Sequence, residues 1–197
     1  MASTTPFSKS ASPAWRLALA ALLFAFQSLV LAPAAFAEGI TPVRASVAPG
    51  PDGYRLDAEF DIQFSPRLEE AVNRGVALHF VVEFELSKPR WYWFNEKPVH
   101  LSQTYKITYT PLLRQYRLSS GAAYQNFNHF DEVVGALSRV RGWPVAEGGA
   151  LRKQDEYEAA IRMRLDTTQL PKPFQLNAVA SNDWNLASDW YRWTVRP

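Results

Sequence analysis

The chain has 197 residues, with 21 Lys and Arg against 19 Asp and Glu, and no cysteine. That composition excludes disulfides, cysteine-ligated metal sites and a lipid-modified N-terminal cysteine. Two of the basic residues, Lys9 and Arg16, lie in the first 37 and no acid does, so the rest carries 19 of each sign; a nucleic-acid binder would show a basic surplus or stripe.

Residues 1–37 read as a secretory signal peptide. Lys9 and Arg16 precede an apolar run over 17–31, interrupted only by Gln27 and Ser28. Pro33 breaks that run, and Ala35-Phe36-Ala37 is a small-x-small cleavage site. Cleavage after Ala37 leaves 38–197 as a single β-rich domain in the periplasm. The alternative is an inner-membrane anchor through an uncleaved N-terminus. It is disfavoured because the run is short of the ~20 residues that span a bilayer and Pro33 interrupts its continuation. An exported domain without cysteine must hold itself together by its core, and a chain of this size buries roughly 68–70% of its unfolded surface.

In chain order, a short strand is expected over 43–48, followed by the turn Pro49-Gly50-Pro51-Asp52-Gly53. Over 54–64, Tyr54, Leu56, Ala58, Phe60, Ile62 and Phe64 alternate with polar residues. This predicts a long strand with one dry face. Ser65 suits an N-cap and Pro66 the first helical position. A helix over 66–74 follows, with Glu69 and Glu70 at its positive end and Gly75 as its stop.

Alternation returns over 78–86, with Leu78, Phe80, Val82, Phe84 and Leu86 against His79, Val81, Glu83 and Glu85. Ser87-Lys88-Pro89-Arg90 marks a turn, and residues 91–99 are expected to come back as the partner strand. Residues 101–109 alternate again, Thr110-Pro111 interrupts them, and Leu112, Arg114, Tyr116 and Leu118 predict one more short strand. The region reads as an antiparallel meander. A strand over 122–127 follows. Asn128 then caps a second helix over 129–140, with Phe130, Val133, Val134, Leu137 and Val140 at helical spacing and Gly142 closing it. Trp143-Pro144-Val145 leads to the turn Glu147-Gly148-Gly149. Residues 156–166 form another half-buried strand, 170–174 a proline-stiffened connection, and 191–195 a last strand. Strands that do not alternate with helices point to a mainly β fold: an antiparallel β-sandwich or meander with two short helices, about 66–74 and 129–140.

Catalytic patterns are missing. There is no G-x-S-x-G elbow, no H-E-x-x-H or EF-hand loop and no phosphate-cradling glycine loop. His79, His100 and His129 have no spacing that assembles a triad; His79 lies on the polar side of a strand and His129 opens a helix. Glu83 and Glu85 share a strand face about 7 Å apart at Cα, which is more often the wet side of a sheet than a glycosidase pair. No catalytic residue, metal, cofactor or nucleic-acid partner is therefore expected.

The aromatics are the surplus. Trp91 and Trp93 would face one side of a strand and Tyr92 and Phe94 the other. A face not covered by a helix is a binding candidate. The expected contact surface is Arg90, Trp91, Tyr92, Trp93 and Tyr116, with Lys97, Arg114 and Arg117 as a basic rim or simply a solvated surface.

The segments YRLDAEFDIQFSPRLEEAVNRGVALHFVVEFEL, RWYWF, YKITYTPLLRQYRL, YEAAIRMRLDTTQLPKPFQL and NDWNLASDWYRWTV run through nearly all of 38–197. As a set they resemble a family of exported proteobacterial proteins known as a domain of unknown function, number 4390 in that series. The resemblance implies an exported, strand-rich domain with no assigned activity and no catalytic residues. The resemblance also implies genes that often neighbour a nitrogen-regulation sensor kinase, and with them a link to envelope sensing. The expectation is a non-enzymatic periplasmic binding or interaction domain whose partner is a protein or envelope ligand. The alternatives are an accessory to a membrane sensor kinase and an unrecognised envelope hydrolase.

Overall fold

The first strand, β1 (Gly39–Gly50), is longer than the prolines at 42 and 49 suggest. It survives them because it is an edge strand, where a missing N–H leaves no ladder bond open. It turns through Pro51 and Asp52 into β2 (Gly53–Gln63), which buries Leu56, Ala58, Phe60 and Ile62 as the alternation predicts. The structure, a computed structural model, describes residues 39–88, 99–180 and 182–197.

Helix α1 (Pro66–Asn73) has the predicted start. The Ser65 hydroxyl accepts the Leu68 N–H at 3.2 Å, and Pro66 opens the first turn. The helix ends in a Schellman motif: Gly75 N–H donates to the Val72 carbonyl and Val76 N–H to that of Ala71, with Gly75 at φ 89°. Leu68, Ala71 and Val72 are its buried face.

Strand β3 (Leu78–Ser87) pairs antiparallel with β4 (Val99–Thr110) on one side and β8 (Tyr157–Leu165) on the other. The expected return strand at 91–99 lies outside the described residues apart from Val99, where β4 begins. β5 (Gln115–Ser120), β6 (Ala123–Phe127) and β9 (Tyr191–Val195) complete a six-stranded sheet in the order β6-β5-β4-β3-β8-β9. β9 has the predicted bounds.

Three expectations need correction. Leu112 and Arg114 do not belong to a strand; Thr110 pairs with Gln115, so the residues between them form the hairpin turn. Helix α2 (Phe130–Leu137) is capped at His129 and stops before Val140. The chain then enters β7 (Arg139–Glu147), which joins β1 and β2 in a three-stranded sheet. Gly142 does not end a helix. It sits inside β7 at φ 60°, where the ladder slips between Val140 and Trp143 and again between Pro144 and Ala146. These irregularities destroy the period-two signal, and helical spacing from Phe130 to Leu137 then runs on by coincidence to Val140. Third, Lys172–Ala180 is a helix, α3, rather than a plain connection. Pro173 falls in its first turn, where proline is tolerated, and the Phe174 and Gln175 N–H groups both donate to the Pro171 carbonyl.

The two antiparallel sheets face each other as a β-sandwich. Leu56 and Phe60 from one sheet and Phe80, Phe84, Ile107, Ile161 and Met163 from the other are buried in a common core. Trp143 of β7 meets Phe84 of β3 edge to face, with ring centroids 6.3 Å apart. Phe64 links Phe80 and Phe130 at 5.6 and 5.1 Å, which seats α2 against the sheet.

Candidate interaction surface

Of the five residues expected to form a contact surface, Arg90, Trp91, Tyr92 and Trp93 lie outside the described residues. Tyr116 is 8% exposed. Its ring packs at a tilt against Tyr109 and Phe130, and its hydroxyl donates to Oδ1 of Asn73 at the end of α1. Burial pushes the phenol up, with the Glu69 charge adding to it.

The polar side of β3 holds the charges. Glu83 is nearly buried, and its carboxylate accepts from Nε of Arg162 and, at 3.2 Å, from Arg164 on the adjacent strand. Burial alone pushes the Glu83 carboxyl up. The Arg162 hydrogen bond and the two guanidinium charges outweigh it, so the carboxyl titrates below its ordinary value. Arg162 is itself held over the Trp190 ring at 4.5 Å. Such a carboxylate is a fixed ion-pair member and a poor general acid. The same-face Glu85 lies 3.3 Å from His100 Nδ1 at the surface. His79 is pushed below its ordinary value first by burial and then by Lys106, against a smaller opposing pull from Asp166. Neither histidine is aligned with a nucleophilic hydroxyl among the contacts of the described residues. No group of three His, Asp or Glu there could hold a metal ion.

A shallow groove of ≈ 200 Å³ crosses the outside of the three-stranded sheet, lined by Arg44, Asp57, Glu59 and Arg141 among others. Three of these four charged groups are already engaged. Arg44 bonds Glu59 at 2.7 Å, and Asp57 accepts the Gly142 N–H at 2.8 Å across the irregular β7.

The remaining surface of note is the β4–β5–β6 end of the large sheet. The β4–β5 turn carries Leu112, 92% exposed, and Leu113, 61% exposed. Pro111 presets the backbone for the turn. The Leu113 N–H donates to the Thr110 carbonyl and the Arg114 N–H to that of Pro111, each at 3.2 Å. Arg114 closes the turn at φ 51°, a left-handed conformation that costs a residue with a side chain about 1 kcal/mol. A strained turn thus holds two leucines away from the core. Alternation placed Leu112 in a strand with Arg114, Tyr116 and Leu118; the signal against it was Leu112-Leu113 side by side directly after Thr110-Pro111. Beyond β5, the exposed ring of Tyr124 on β6 lies under the Arg117 guanidinium at 4.6 Å, and Arg117 Nε donates to Asn126 Oδ1 at 3.0 Å.

Residues 37–194 match the family model described as Domain of unknown function (DUF4390). No curated protein and no solved structure matches the chain.

Proposed function

Because the chain belongs to the DUF4390 family, whose description assigns no activity, we propose that it is an exported, non-enzymatic interaction domain that meets a protein partner at the β4–β5 hairpin tip. The observation that carries this reading is the exposure of Leu112 and Leu113 together on a turn closed by a left-handed Arg114. A monomer gains nothing in stability from two leucines in water, and transferring one into a partner's pocket is worth about 1.5–3 kcal/mol. The fixed ion pairing of Glu83 supports the non-enzymatic part. The charge and apolar pattern of residues 1–37 supports export, and the family match begins at residue 37.

The test replaces both leucines with serine. Circular dichroism and melting temperature stay as in wild type, because neither side chain is in the core. Binding to the partner recovered by cross-linking from the periplasm falls by about 100-fold, the loss of two anchors. Binding that is unchanged by the double replacement removes the tip from the interface. N-terminal sequencing of the periplasmic form tests export, with Glu38 the residue expected first.

A further inference from the structure

We propose that the open edge of β6 pairs antiparallel with β6 of a second copy of this chain. The inference stands on the four sheet edges and does not depend on the hairpin tip.

An unpaired edge strand is a template for another strand, and proteins blunt such edges with proline, charge or bulges. Three of the four edges here are blunted. β1 carries Pro42, Pro49, Arg44 and a register slip between Pro42 and Arg44. β7 carries Pro144, Arg139, Arg141 and two register slips. β9 carries Arg192, with Arg196 just beyond it, in ion pairs with Glu158 and Glu156. β6 has none of these devices. Its sequence Ala-Tyr-Gln-Asn-Phe contains no proline and no charge, and its ladder with β5 runs without a slip. Among the described residues no strand pairs with its other side, and Ala123 to Asn126 are exposed.

The strand is also complementary to itself. Antiparallel pairing centred on Gln125 sets Gln125 against Gln125 of the second copy, Tyr124 against Asn126, and the small Ala123 against the half-buried Phe127. No like charges face each other, which is the arrangement that destabilises cross-strand pairs. Arg117 sits opposite Asn126 in the β5–β6 ladder. In the pair, the two rows that join Tyr124 of one copy to Asn126 of the other therefore carry one Arg117 each, and the two are never in the same row. The pairing is isologous and closes as a two-fold dimer with one continuous sheet.

Sedimentation velocity on the purified protein tests this. Wild type is expected to show a concentration-dependent dimer. Gln125→Lys and Gln125→Glu, both at an exposed position, each place like charges across the two-fold axis and weaken dimerisation by at least about tenfold. Mixing the two variants restores the dimer, because Lys now faces Glu. Circular dichroism of each variant confirms that the fold is retained. A wild type that stays monomeric up to about 1 mM overturns the proposal and leaves the edge to an extended segment of another protein. A dimer unaffected by Gln125→Lys, or a mixture that fails to reassociate, also overturns it.

Discussion

The Tyr116 hydroxyl donates a hydrogen bond to Oδ1 of Asn73, tying the start of β5 to the last residue of α1. The bond gives the tyrosine an internal role that its place near the hairpin turn conceals. Tyr116→Phe removes the bond and keeps the ring. Because Asn73 is exposed and finds water instead, the expected cost is about 1 kcal/mol, seen as a melting temperature lower by roughly 2–4 °C. Tyr116→Ala also empties the space between Tyr109 and Phe130, and costs about 3–5 kcal/mol by urea unfolding.

Glu83 makes stability sensitive to acid. Its folded carboxyl titrates below the ordinary value of 4.5. The unfolded chain therefore takes up this proton first as pH falls. The stabilisation from Glu83 is fully present above about pH 4.5 and is lost as pH drops through the lower folded value. Glu83→Gln removes that dependence. At neutral pH it costs about 1–3 kcal/mol, less than a fully buried pair would, because both arginines keep part of their side chains in water. Urea midpoints of the two proteins should differ by a constant amount down to about pH 4.5 and converge below it. A difference that stays constant at lower pH contradicts the ion-pair account.

Gly53 is where β7 comes closest to the β1–β2 turn. A Cβ there would stand 2.2 Å from the Ala146 carbonyl oxygen, at a φ of 145°. That neighbour is backbone and cannot swing away. Gly53→Ala should cost about 2–4 kcal/mol. Gly75→Ala serves as the comparison. Gly75 also has positive φ, but no atom lies within 4 Å of its added Cβ, so the expected cost is only about 1 kcal/mol of backbone strain. Equal melting temperatures for the two variants would rule out the close approach.

Sequence periodicity was informative wherever the ladder is regular. β2, β3 and β8 each keep period two against an apolar core, and the Ser65-Pro66 start and Gly75 stop of α1 are local chemistry. Tyr116 was expected on a contact surface and is buried instead; the signal for that was its place two residues from Leu118, on the same strand face. β7 was not legible, since two slips between Val140 and Ala146 scramble its inward and outward residues. α3 was hidden by Pro171 and Pro173, which are compatible with a helix start as well as with a loop. The leucine tip was hidden because the alternation of Tyr116 and Leu118 extends back through Arg114 to Leu112. Only the Thr110↔Gln115 pairing shows that the turn intervenes. The uncharged edge of β6 is plain in the sequence, but its meaning depends on sheet order, which no local pattern encodes.

Photo-cross-linking in cells measures partner binding at the β4–β5 tip most directly, with a benzophenone side chain at position 112 and, as control, at exposed position 153. One discrete protein adduct is expected from position 112 and none from position 153. No adduct from position 112, or the same adducts from both, would contradict a binding role for the β4–β5 tip.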